Sequence, residues 1–478
     1  MMTAQHEEAW LRVDLRALSR VGSVHFMGIS GAGMSALAEL IVRGGGSVTG
    51  CDLRTGAAAD ALRARGVTIH HGHDAAHVAA AAALVMTSAI PATHPEVIAA
   101  RERGIPVLKR AQALGSLVNR AAVLAIAGTH GKTTTTAATT AILDEAGMDP
   151  TGLVGGRMAA WGGGLRAGRD EIFVVEADEY DRSFLTLRPT AAVITSIEAD
   201  HLDIYGDLGG VERAFIEFAG RVKTDGVIAI CCDDEGARRV AGELSGPARV
   251  LTYGTGAGAD LRALNVRQDG RTMTFDVEQD DERLGTLTLG SPGIHNVMNA
   301  LGAFAVARHA GATFDAARTA LRSFSGVARR FQELGSARGI TVVDDYAHHP
   351  TEVSATIATA RGTYPGRRII AAFQPHLYSR TRALASEFGR ALAAADMVWV
   401  SDVYPAREAP IQGVTGELVS RAAQAAGNSP VHYTTTLDEM MRALRDELRD
   451  NDVLIAMGAG DIDEMAHDLF DTLAQGAA

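Results

Sequence analysis

The chain carries only three cysteines in 478 residues, Cys51, Cys231 and Cys232, and their spacing offers neither a disulfide framework nor a metal-ligand motif. That scarcity favours a reducing, cytoplasmic setting. No apolar run reaches the ~18 residues of a membrane span, so no membrane association is expected. Residues 1–22 interleave Glu7, Glu8, Arg12, Asp14, Arg16 and Arg20 with apolar positions and lack the apolar centre of a secretory signal. There is no block of like charge either, and 45 basic against 57 acidic residues leave a formal net charge of −12. Nucleic acid is therefore not an expected partner. Any polyanionic ligand must be held by local Lys, Arg, backbone N–H groups or a metal ion.

What the chain has in excess is glycine, 52 residues or about 11% against a usual ~7%. These glycines sit in short clusters beside apolar runs rather than in Ser- or Pro-rich linkers, as in turns that cradle phosphate. Apolar residues at 47% and charged residues at 21% are those of a globular protein. At about 150 residues per domain, the length allows roughly three domains.

Three segments each begin with a buried-type strand running into a turn. Ser23-Val-His-Phe-Met27 leads into Gly28-Ile29-Ser30-Gly31-Ala32-Gly33 and an apolar-periodic helix. Further strands near Ser47–Cys51, Ala83–Thr87 and Ile105–Leu108 suggest a Rossmann-like parallel sheet, assigned to residues 1–119. Ala122–Ala127 opens a central phosphate-loop domain, residues 120–325, with strands near Ile172–Val175 and Ala191–Ile197 and a hairpin-like region at 249–290. Strand and helix alternate again from Ile340, so residues 326–478 read as a C-terminal Rossmann-like domain. The expected fold is thus three-domain α/β.

The strongest chemical signal is Gly128-Thr129-His130-Gly131-Lys132-Thr133-Thr134 between an apolar strand and a helix. Backbone N–H groups of such a turn point at phosphate, Lys132 supplies a point charge and the Thr133 hydroxyl can hold Mg²⁺. The strict G-x-x-x-x-G-K-[ST] pattern would need Gly at 126, where the chain has Ile126. The Gly28–Gly33 turn departs from G-x-G-x-x-G in its first spacing. It still follows a strand and opens a helix, with Asp52 closing the next strand about 20 residues on, which suits a diphosphate. Two strand ends deliver carboxylates and an imidazole: Glu176, Asp178, Glu179 and Asp181 after the first, and Glu198, Asp200, His201 and Asp203 after the second. Such carboxylates beside a phosphate loop can take Mg²⁺. His295-Asn296 and Asn299 begin an apolar helix and can read a base edge or cap the helix. Arg329-Arg330 lies between the second and third segments, where an arginine can clamp a phosphoryl group. Asp344-Asp345-Tyr346-Ala-His348-His349 and Gln374-Pro-His376-Leu-Tyr-Ser-Arg380 follow strands of the third segment and point to a second substrate site.

Taken in chain order, His25 to Ala38, Gly128 to Thr133, Glu176 to Asp181, Asp200-His201, His295 to Asn299, Arg329-Arg330-Phe and Asp344 to Pro350 resemble the Mur ligases of peptidoglycan synthesis, over essentially the whole chain. The resemblance implies a cytoplasmic ATP-dependent ligase of cell-wall synthesis, on which cell shape and division depend. Its small-molecule substrates would be ATP, UDP-N-acetylmuramate and L-alanine, its metal Mg²⁺ with Mn²⁺ as a substitute, its state a monomer or homodimer. By the same resemblance, Gly128 to Thr134, His295, Asn296, Asn299, Arg330 and Asp345 bind ATP, while Thr133, Glu176 and His201 associate with the metal. Lys132, Glu176, His201 and Arg330 are the catalytic candidates. Gly28 to Gly33, Asp52, Thr87 and Ser88 line the UDP-sugar site, and Tyr346, His348, His376 and Arg380 surround the amino acid. Leu377 stands where many relatives have Arg, which moves the weight of carboxylate binding to Arg380. Two alternatives remain: a recycling ligase that adds a preformed tripeptide to UDP-N-acetylmuramate, and a non-catalytic sensor of UDP-sugar and ATP. Gly458-Ala-Gly460-Asp461 forms a third glycine turn without an assigned role.

Overall fold

The structure, a computed structural model, describes residues 9–406 and 408–475, so Glu7 and Glu8 of the charged start lie outside the described residues. Three sheets follow one another along the chain. The first has five parallel strands in the order Thr68–His71, Ser47–Asp52, Ser23–Met27, Ala81–Met86, Val107–Lys109. The order reverses between Ser23–Met27 and Ala81–Met86, and the Gly28 turn and Thr87-Ser88 both leave the sheet there. In open parallel sheets that crevice is where ligands bind.

The second sheet has ten strands. At its centre Ala191–Ile194, Ala122–Ala127 and Ile172–Glu176 run parallel, with the phosphate loop leaving the middle strand. These strands are buried on both faces and read as unbroken apolar runs for that reason. A hairpin of Thr151–Met158 and Gly163–Arg166 adds one antiparallel pair at an edge, which the sequence pattern did not announce. Towards the other edge the sheet continues through Val227–Cys231 and Arg249–Gly254 into Leu261–Asp269, Thr272–Gln279 and Glu282–Leu289.

The third sheet has the order Gln332–Ala337, Ile340–Asp345, Asp452–Met457, Arg368–Phe373, Met397–Val400, Val431–Tyr433. Its first strand is antiparallel to its neighbour, so the sheet is mixed rather than purely Rossmann-like. The central strand Asp452–Met457 is buried throughout, and its Asp452 is satisfied by a two-pronged contact from Arg368 at 2.8 and 2.7 Å.

By contact density the chain forms two compact units. One comprises the chain through Leu264 with Asp276–Leu287 and Met298–Arg322, and the other Asn265–Phe275, Thr288–Val297 and Ser323 onward. One apolar core in the first unit joins Val24 and Phe26 of the first sheet and Leu37 of helix Ala32–Arg43 to Val123, Val175 and Ile194 of the second sheet. In the second unit, Val343, Phe373 and Val400 face one side of the third sheet, and Val342, Ala372 and Leu454 the other. Among the described residues no helix is long and apolar enough to cross a membrane.

Candidate active site

The phosphate loop is shaped by two glycines. Gly128 has φ +135° and a Cβ there would fall 1.9 Å from Thr195 Oγ1, while Gly131 has φ +80° and its Cβ would meet Asn299 Oδ1 at 2.3 Å. Neither position tolerates a side chain. The turn is tied to the neighbouring strand end: Thr129 N–H donates to Ser196 O at 2.8 Å, His130 N–H to Ser196 Oγ at 3.0 Å, and Glu198 N–H to Thr129 Oγ1 at 2.9 Å. Beyond it, helix Lys132–Glu145 carries four threonines directly after Lys132, poor helix formers that are buried here. Thr139 and Thr140 satisfy their hydroxyls on the carbonyls of Thr135 and Thr136, both at 2.8 Å, which lets a polar run pack against the sheet. Asn299 accepts the Thr135 hydroxyl at 3.2 Å and so closes the loop from the side.

Lys132 folds back over this turn. Its ammonium donates to Gly128 O at 2.5 Å and to both Glu179 oxygens at 3.0 and 2.8 Å. Burial alone would pull the lysine down, but the Glu179 carboxylate, with Asp178 and Glu176 nearby, raises it above its ordinary value, so it stays charged. Glu179, only 3% exposed, is a partner that sequence reasoning grouped with its acidic neighbours without giving it a task. The Tyr205 hydroxyl also donates to the Glu179 carbonyl at 2.5 Å. His201 sits in a left-handed turn at φ +54°, against Tyr180 with ring centres 5.1 Å apart and 3.8 Å from Asp200.

Glu176 ends its strand facing Gly155, whose N–H donates to it at 2.5 Å. Between Glu176 and the helix that follows the Gly28 turn lies a cavity of about 230 Å³, lined among others by Gly33, Arg110, Gly155, Glu176 and Asp178. Arg110 reaches Asp178 at 3.2 Å and crosses Gly33 so closely that a Cβ there would lie 3.2 Å from the guanidinium. Arg110 was missed because nothing in its local sequence marks it; only packing brings it to Gly33. Lys109 and Ser88 add bonds to Asp181 at 2.6 and 3.0 Å. Asp52 accepts the Ser30 N–H at 2.8 Å and the Arg54 N–H at 3.0 Å, so its carboxylate holds the Gly28 turn in shape. Gly28 itself has φ +73°, with Thr87 beside it.

In the second unit the loops after Ile340–Asp345 and Arg368–Phe373 converge. The rings of Tyr346 and His348 lie 5.1 Å apart, those of His348 and His376 6.0 Å. Tyr346 also meets the guanidinium groups of Arg329 and Arg330 at 5.0 and 5.2 Å. Arg330 lies 3.6 Å from Glu352, and the nearby arginine adds to burial in lowering His295 to about 4. Asn296 donates to Ser291 Oγ and Pro292 O, shaping the start of its helix. Asp345 accepts the N–H groups of Phe331 and Ala347, both at 2.8 Å, and burial pushes it up to about 6 against the pull of Arg330. Arg380 lies in the first turn of helix Tyr378–Leu392. Leu377 before it is buried, at φ +69°. The third glycine turn gains a structural role: Arg329 donates to Gly458 O at 2.9 Å and Gly460 O at 3.3 Å, and Gln374 to Asp461 at 2.7 Å.

Loops at the switch points of three sheets, one of them a glycine and lysine phosphate loop, define a multidomain α/β phosphate-loop protein. The chain belongs to the Mur ligase family: residues 23–122 match the Mur ligase family catalytic domain, 126–307 the Mur ligase middle domain and 329–460 the Mur ligase glutamate ligase domain. It is 45% identical over 447 residues to UDP-N-acetylmuramate–L-alanine ligase of Salinibacter ruber, covering 93% of this chain and 94% of that one. The enzyme of the same name from Azoarcus sp. is 45% identical over 452 residues, covering 93% and 96%. Among solved structures, UDP-N-acetylmuramate-alanine ligase from Thermotoga maritima superposes with a TM-score of 0.80 at 27% identity, over 95% of this chain and all (100%) of that one. A murein peptide ligase from Psychrobacter arcticus gives 0.68 at 25% identity, over 95% and 99%.

One group here sets a pH dependence. Asp344 is 0% exposed with neither oxygen hydrogen-bonded, and burial pushes it up to about 7 although Arg329 lies 3.7 Å away. The unfolded value is ~4, so the folded state binds the extra proton; stability is fully present in acid and is lost as pH rises from about 4 to about 7. Asp344→Asn should therefore gain on the wild type across that window in urea unfolding midpoints. Parallel curves would remove Asp344 as the cause.

Proposed function

We propose that the chain is an ATP-dependent ligase joining L-alanine to the lactyl carboxylate of UDP-N-acetylmuramate, in the cytoplasmic synthesis of peptidoglycan precursor. A carboxylate is a poor acyl donor, so the γ-phosphoryl of ATP first passes to it, giving an acyl phosphate and ADP. The alanine amine then attacks the acyl carbon, nitrogen loses a proton, and the tetrahedral intermediate expels phosphate as the C–O bond breaks. Such transfer needs cationic and N–H groups placed on the phosphoryl oxygens rather than a covalent nucleophile. The observation that carries this reading is the cavity in which the Gly33 end of one turn and Arg110 face Glu176, whose strand pairs with the one that runs into the Gly128–Thr133 loop.

In this reading the loop N–H groups and Lys132 hold the ATP phosphates, and Lys132 exchanges Glu179 for phosphate oxygen on binding. His295, Asn296, Asn299, Arg330 and Asp345 serve the nucleotide. The Gly28–Gly33 turn takes the UDP diphosphate at the start of helix Ala32–Arg43, with Asp52 holding the turn and Thr87 and Ser88 flanking it. Tyr346, His348, His376 and Arg380 form the alanine site. Thr133 and Glu176 offer hard oxygen donors and His201 an imidazole near the phosphate loop, a set that fits Mg²⁺ or Mn²⁺. Bound there, the ion would neutralise charge on the phosphoryl oxygens.

The assay is phosphate release from ATP with UDP-N-acetylmuramate and either L-alanine or a tripeptide. Release with L-alanine, and an amide product, is expected; release with the tripeptide alone would make the chain a recycling ligase, and none with either a sensor. Lys132→Ala should lose turnover by roughly 10²-fold or more while UDP-N-acetylmuramate binding, followed by calorimetry, is kept. Arg380→Ala should raise the KM for alanine far more than that for ATP; equal effects would take it out of the amino-acid site.

A further inference from the structure

Behind the Gly28 turn lies a cluster that the ligase reaction does not use. His25 comes from strand Ser23–Met27, Cys51 from Ser47–Asp52, His77 from the turn Ala75–Val78 and Glu96 from the first turn of helix Pro95–Glu102. One donor atom of each lies within 4.8 Å of the others. His25, Cys51 and Glu96 are all 0% exposed. Glu96 lies 3.0 Å from His77 Nδ1 and 3.7 Å from His73 Nδ1, and accepts the Asp74 N–H at 2.8 Å. A carboxylate so buried is costly without a full positive charge beside it. His25 spends Nδ1 on Thr49 Oγ1 at 2.9 Å, which leaves Nε2 buried with no hydrogen-bond partner. An unpartnered imidazole nitrogen at 0% exposure is the observation that hydrogen bonding within the cluster does not explain.

We infer that His25, Cys51, His77 and Glu96 form a structural site for one divalent cation of the zinc class. Two imidazoles, a thiolate and a carboxylate make a donor set of mixed softness, which suits Zn²⁺ and excludes the hard ions Mg²⁺ and Ca²⁺. Ligands ~2.0–2.3 Å from a tetrahedral ion lie roughly 3.3–3.8 Å from one another. Cys51 Sγ already lies 3.5 Å from both Glu96 oxygens, so only the longer separations have to close, by about an ångström. Charge balances as well. On binding, the Cys51 proton is released to solvent, and the cation meets one thiolate, one carboxylate and two neutral imidazoles, a neutral whole. The cation would join four elements directly behind the ligand turn, because the Cys51 carbonyl accepts the N–H groups of Gly28 at 2.8 Å and Ile29 at 3.3 Å.

The experiment uses the full chain, stripped by a chelator and titrated with Co²⁺ in excess Mg²⁺, which fills hard oxygen sites. A single equivalent of Co²⁺ should bring tetrahedral visible bands and a thiolate-to-cobalt charge-transfer band, and Zn²⁺ should abolish both. Cys51→Ser should lose the charge-transfer band, and His77→Gln should weaken Co²⁺ binding roughly tenfold or more. No charge-transfer band in the wild type overturns the site. So does a band that survives in Cys51→Ser, since it would then arise at Cys231 or Cys232. Should Cys51→Ser fail to fold by circular dichroism, His77→Gln decides, and unchanged affinity there overturns the inference.

Discussion

Parallel strands constrain everything that follows from this fold, because they send the loops of each sheet out at one edge. Where strand order reverses, two such loops diverge and leave a crevice floored by backbone N–H groups. In the second sheet that crevice lies between the ends of Ala122–Ala127, Ile172–Glu176 and Ala191–Ile194. Lys132, Glu176 and Ser196 are neighbours only for that reason. The first sheet repeats the arrangement around Gly28 and Thr87. In the third, Arg329 fastens the Gly458 turn, so the same edge carries the Tyr346 and His376 loops on a rigid base.

Electrostatics then follow locally rather than globally. A chain with net charge −12 has no basic field to attract a polyanion, and its phosphate-loop lysine is held by an internal carboxylate. The Lys132–Glu179 pair keeps a buried cation charged and positioned without phosphate, since either charge alone would be costly at that depth. In the first sheet Glu96 faces the same cost, and among the described residues its nearest possible partners are the imidazoles of His77 and His73.

Much of the site was legible because its chemistry sits on contiguous residues. The Gly128–Thr133 turn, the acidic strand ends and the Asp344–His349 run each announce themselves by a strand followed by an unusual density of polar groups. Glu179, Arg110 and Glu96 did not. Glu179 looks like one member of a solvated acidic run, and only its 3% exposure against Lys132 distinguishes it. Arg110 meets Gly33 across most of the first sheet's sequence, and no spacing rule reaches that far. Asp52 and Asp345 also accept backbone N–H groups of the loops they support, a bracing task that their place at a strand end does not reveal.

The sequence by itself determined the strands, the glycine turns and the order in which they occur, because apolar runs and left-handed backbone positions are local properties. Tertiary structure alone decided which charges face each other, and where the antiparallel strands Gly163–Arg166 and Gln332–Ala337 attach. The same holds for His25, Cys51, His77 and Glu96, scattered over four elements and meeting behind one turn. Charge pairing and metal geometry depend on distances in space that chain separation does not encode.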